Sequence, residues 1–102
     1  MNEIKIYKNN SKTVKYQEST GYDFTGATCF LTVAKSITSE KLFDVEGTID
    51  TDTLIFDIPN TNNDREPGNY KYDITVIIEA VPYTLLVGDY VIVDSVKYWH
   101  IN

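Results

Sequence analysis

Few side chains in this sequence are of types and spacings that could carry out chemistry. His100 is the single histidine, so a Ser-His or Cys-His device would have to use it. It shares an alternating face with Val96 and Tyr98 close to the end of the sequence, where a general base would be poorly fixed. Cys29 is the single cysteine and sits among Ala27, Leu31 and Val33 on an apolar face. A thiol there is a small hydrophobe with a raised pKa rather than a nucleophile. Asp50, Asp52 and Asp57 are the nearest approach to a cation site, but the spaced calcium loop with its closing glutamate is missing. A strand-connecting turn with solvated carboxylates is the simpler reading. "TGYDFTG" holds two glycines without the lysine of a phosphate cradle. The "NNS" at 9–11 has the form of a glycosylation sequon and matters only to a secreted chain. No catalytic residue, metal or cofactor is expected, and the chain is read as a non-enzyme.

Aromatic residues are the more suggestive feature. Eight tyrosines, four phenylalanines and one tryptophan make up 13% of the chain. Tyr70 and Tyr72 read as core. Tyr7, Tyr22, Tyr83, Tyr98 and Trp99 fall at the ends or edges of extended segments, where amphipathic rings often mark interfaces. Ordinary edge packing, protein contact and sugar stacking all remain open for these five.

The 102 residues fit one domain. Apolar residues at 42% and charged residues at 24% are ordinary for a folded globular chain. No apolar run nears the roughly 18–20 residues of a membrane helix, and no membrane partner is expected. "MNEIKIYKNN" lacks a hydrophobic signal core, and one cysteine suits a reducing compartment. The net charge of −6 argues against nucleic acid as a partner. That charge is uneven: residues 1–41 carry six lysines against four carboxylates, and residues 42–102 carry three basic residues against eleven carboxylates. Either these are solvated strand faces, or a basic edge of one copy meets an acidic edge of a neighbour.

Two-residue alternation dominates. It marks strands at 3–8, 13–18, 27–35, 42–47 and 53–58, with loops at 19–26, 36–41 and 59–68. The clearest case is 70–79, where Tyr70, Tyr72, Ile74, Val76 and Ile78 share a face. Such a strand would cross the centre of a sheet. Segments 81–88, 89–94 and 96–101 supply the closing strands. No helical stripe is present, and the pattern predicts an all-β, immunoglobulin-like antiparallel sandwich of about seven to nine strands. "NDREPGNYKY" has the parts of a tyrosine corner: Asp64 to hold the turn, Pro67 to fix an angle, Gly68 for positive φ, and Tyr70 to bond back to the backbone. Tyr72 stands where antibody domains place a cysteine, and the antibody tryptophan is missing from the middle of the chain.

The order of segments resembles the N-terminal domain of bacteriophage baseplate upper proteins and the Ig-like domains of phage tail and fibre proteins. Phe24-Thr25-Gly26 fits a strand-opening signature. Pro67, Gly68, Tyr70, Tyr72, Asp73 and Ile74 fit a second, and Thr84, Leu85, Gly88, Tyr90 and Ile92 a third, over roughly 22–96. The resemblance implies a virion structural protein of tail, baseplate or fibre, made in the bacterial host cytoplasm. Its partners would be copies of itself and other phage structural proteins. That family usually continues into a fibre or receptor-binding portion, so a chain ending at Asn102 is expected to be a stand-alone adaptor or decoration subunit. The terminal strands with Tyr7 and Trp99 would be its contact edges. The alternatives are a carbohydrate-binding module for host-surface recognition, with weak glycan contact, and a head decoration protein.

Overall fold

A computed structural model describes residues 3–18 and 23–94. Tyr22, Tyr98, Trp99 and His100, with the expected strand at 96–101, lie outside the described residues. The described residues form eight strands in chain order: β1 (Ile4–Tyr7), β2 (Lys12–Gln17), β3 (Thr28–Ala34), β4 (Lys41–Glu46), β5 (Thr48–Asp50), β6 (Thr53–Ile58), β7 (Gly68–Ile78) and β8 (Val81–Val93). They form a five-stranded sheet ordered β1-β8-β7-β3-β4 and a three-stranded sheet ordered β2-β6-β5.

The alternation read from the sequence is the burial pattern of the strands. Cys29, Leu31 and Val33 of β3 and Tyr70, Tyr72, Ile74 and Val76 of β7 point inward from the larger sheet. Leu54, Phe56 and Ile58 meet them from the smaller one. Each such side chain contributes roughly 1.5–3 kcal/mol by leaving water. Tyr90 is fully buried, with edge-on contacts to Phe43 at 6.0 Å and Tyr72 at 6.4 Å between ring centroids. β7 lies between β8 and β3, at the centre of the larger sheet.

The architecture is an all-β, immunoglobulin-like sandwich with three local departures from expectation. β1 runs parallel to β8, pairing Ile4 with Tyr90 through Tyr7 with Val93, whereas every other described pair is antiparallel. Segments 81–88 and 89–94 are one strand. Gly88 and Asp89 make no turn because Asp89 is held opposite Lys71, whose ammonium donates to its carboxylate. Residues 48–50 form a strand of their own, in which Ile49 packs against the core opposite Leu54.

The tyrosine corner is present in altered form. Tyr70 donates its hydroxyl to Glu66 O at 2.7 Å, which ties the end of the β6–β7 connection to the sheet. Gly68, however, is not at positive φ; it is the first residue of β7. Extended backbone suits any residue, so the turn asks nothing special of it. Asp64 holds no turn by its side chain but faces Lys8 Nζ at 3.5 Å. Residues 59–68 are also more ordered than a plain surface loop. Asn60–Asn63 forms a 3-10 turn that drives Asn63 into full burial.

Candidate functional site

The strands of the two sheets differ in length. β7 and β8 span eleven and thirteen residues, whereas β2 and β6 span six each and β5 three. At about 3.3 Å per residue, the β7–β8 hairpin outruns the sheet that should cover it. Cross-strand partners share a face, and Val76 pairs with Tyr83 while Ile78 pairs with Val81. Tyr83 and Val81 therefore lie on the core face. They are nevertheless 50% and 47% exposed, where Val76 is 1% exposed. On the opposite face Pro82 pairs with Ile77, so the tip is apolar on both sides.

The turn joining these strands is Glu79-Ala80, with φ of 52° and 69°. Two left-handed residues in a two-residue loop are the type I′ geometry. In such a hairpin the closing pair, Ile78 and Val81, exchanges backbone hydrogen bonds, and the next pair does not. Pro82 therefore turns its donorless nitrogen toward the open side of β8. The register also shifts at Ile74/Thr75, leaving Leu85 as an extra residue. A proline and a bulge blunt this edge against strand addition, so contact at the hairpin end runs through side chains.

Of the five aromatic candidates, the structure describes two and does not bring them together. Tyr83 is at the hairpin end. Tyr7 is 51% exposed beside Val93, toward the far end of β8 and on the outer face. Elsewhere on the outer face a shallow depression is bounded by Thr32, Ser36, Ser39, Lys41, Asp73 and Val87. Burial pushes the Asp73 carboxyl up, against a hydrogen bond from Thr75 that pulls it down.

Sequence reasoning missed the polar centre of the protein, which lies inside rather than on a surface. Asn63 Nδ2 donates to Asn10 O at 2.7 Å, and Asn63 Oδ1 accepts from the hydroxyl of Tyr90. Burial pushes Tyr90 up to about 12, with the nearby Arg65 charge working the other way. Arg65 in turn lies 5.2 Å over the Phe43 ring. Asn63 stood in a run of polar residues, and no signal in that run marks one of them as buried.

Cys29 is fully buried, and burial raises its thiol pKa. Asp50, Asp52 and Asp57 do not converge; Asp52 accepts from Gln17 and Thr53, and Asp57 from Thr13. Among the described residues no group of three metal-ligating side chains forms, and no helix is long and apolar enough to cross a membrane.

No protein-family model and no curated protein matches the chain. Among solved structures it is similar to a "putative glycoside hydrolase" from Bacteroides vulgatus, with a TM-score of 0.58 and 18% identity over 92% of this chain. The chain spans 17% of that protein's length, and at that identity the likeness is one of fold. An uncharacterized protein from Bacillus anthracis is similar at a TM-score of 0.43 and 10% identity, covering 90% of this chain and 77% of that one, which is too slight to support more.

Proposed function

We propose that this chain is a structural interaction domain of a bacteriophage particle, an Ig-like adaptor of tail, baseplate or fibre that works by protein–protein contact rather than by catalysis. The observation that carries the contact is the end of the β7–β8 hairpin. Val81 and Tyr83 continue the core face past the cover of the second sheet, leaving a hydrophobic surface on a rigid, two-stranded support. Aromatic and aliphatic anchors on a fixed scaffold are what interface centres use. The phage assignment rests on the resemblance of residues 22–96, whose motif positions Phe24, Tyr70, Tyr72, Tyr90 and Ile92 are all buried side chains of this sandwich. The test is incorporation. Tyr83→Ser with Val81→Asp should leave the melting temperature close to that of the parent while lowering the amount carried into particles. Full incorporation of the double variant would contradict the assignment of the contact to the hairpin end.

A second reading, a glycan-binding module, is favoured by the outer-face depression. Thr32, Ser36, Ser39, Lys41 and Asp73 line it together with the aliphatic Ile37 and Val87. The Bacteroides vulgatus protein adds only a shared fold to this reading. Titration with host polysaccharides, followed by line broadening of the Thr32 and Val87 resonances, tests it. A flat response across all glycans would remove it.

A further inference from the structure

Among the described residues the two sheets are open at both ends, and the chain joins their edges in pairs. β1 and β2 are edge strands connected by the short turn at residues 8–11, so they lie on one flank of the sandwich. β4 and β5 are the opposite edges, connected by Gly47 alone, and form the other flank. The flanks differ in charge. On the first, residues 3–18 hold Lys5, Lys8, Lys12 and Lys15 against Glu3 and Glu18. On the second, residues 40–52 hold Glu40, Asp44, Glu46, Asp50 and Asp52 against Lys41. Lys41 is spent on Asp44 at 2.5 Å, and Lys8 lies by Asp64. Lys5, Lys12 and Lys15 form no ion pair with a described residue, and Glu46 and Asp50 are likewise exposed without one.

Lysines along an edge strand ordinarily keep copies apart. Here the opposite edges are carboxylate-rich in both sheets, so the same lysines repel their own kind and attract the other flank. Each flank also keeps some apolar surface in water: the outer parts of Val14 and Tyr16 on β2 and of Ile49 on β5, whose remainder packs against the core, and exposed Leu42 on β4. We infer that copies of this chain pack side by side, the β1/β2 flank of one against the β4/β5 flank of the next. Such a contact joins two different surfaces, so it propagates into a ring or a row rather than closing as a two-fold pair. Its occupant is a second copy of this chain, and charge complementarity sets the register and the polarity. The hairpin end, which lies on neither flank, stays free for a different partner.

This inference rests on the structural role proposed above and is tested separately from it, on the purified full chain. Sedimentation velocity is run up to about 1 mM protein. The wild type is expected to associate, and raising salt from about 0.05 M to about 0.5 M is expected to weaken that association about tenfold. Lys12→Glu with Lys15→Glu, and separately Glu46→Lys with Asp50→Lys, should each give a folded monomer, since the first makes both flanks net negative and the second cancels the net charge of the acidic flank. An equimolar mixture of the two variants should associate again. The contact is overturned by a wild type that stays monomeric, by variants that associate as the wild type does, or by a mixture that stays monomeric. Such a result would leave the role of the hairpin end standing, whereas absence of the chain from particles would remove that role whatever the purified chain does.

Discussion

The hydroxyl of Tyr90 on β8 donates to the side-chain oxygen of Asn63, 27 residues earlier, and both residues are fully buried. Through its other end Asn63 holds Asn10 in the β1–β2 turn, so one amide joins three separate stretches of chain. Removing one partner of a buried hydrogen bond costs more than the bond itself contributes, because the other partner is left without water. Tyr90→Phe should cost about 1–2 kcal/mol, and Asn63→Ala about 2–4 kcal/mol, since the latter orphans both Tyr90 and Asn10. Urea unfolding of the two variants checks this. Equal, small effects would show that the amide is not the joint.

Two glycines should respond in opposite ways to the same change. A Cβ on Gly47 would meet the Phe56 ring at 2.7 Å and the Ile55 carbonyl oxygen at 2.8 Å, neither of which can yield without moving the core. A Cβ on Gly68 would meet Tyr70 at 4.0 Å, an ordinary contact. Gly47→Ala should cost roughly 2–3 kcal/mol, and Gly68→Ala should be neutral or slightly stabilising. Thermal melts of the pair decide it.

The Glu79-Ala80 turn takes two non-glycine residues through left-handed backbone, at roughly 1 kcal/mol each. Ala80→Gly should therefore raise stability by about 0.5–1 kcal/mol. A fall in melting temperature would count against that geometry.

Stability should also depend on alkaline pH. Folding holds the Tyr90 proton more tightly than the unfolded chain does, since its ordinary pKa near 10 is pushed to about 12 by burial. The stabilisation is complete below about pH 10 and is lost as pH climbs toward 12, where the unfolded state releases a proton that the folded state keeps. Burial pushes Tyr16 and Tyr72 in the same direction. In Tyr90→Phe the alkaline decline should be shallower, as followed by unfolding midpoints across that range.

The sequence showed the core plainly wherever one face is buried and the other wet. The run Tyr70, Tyr72, Ile74, Val76 and Ile78 could hardly be anything but a central strand, and it is. Strand direction is another matter, because a parallel strand with one wet face alternates as an antiparallel one does; nothing in Ile4 or Ile6 announces that β1 runs with β8. Gly88-Asp89 looked like a break because the pair is turn-prone, yet Lys71 across the strand keeps Asp89 in line. The hairpin turn has neither Asn-Gly nor Asp-Gly, so the local chemistry does not mark Glu79-Ala80. Exposure of Val81 and Tyr83 depends on where the second sheet stops, which no local pattern records.

Mass spectrometry of purified phage particles that carry this gene, with copy number from peptide intensity, tests the proposed structural role most directly. The proposal predicts abundant peptides from this chain, in numbers fitting the rotational symmetry of a tail or baseplate, and reduced numbers in the Tyr83→Ser, Val81→Asp variant. Intact particles without this chain would contradict it.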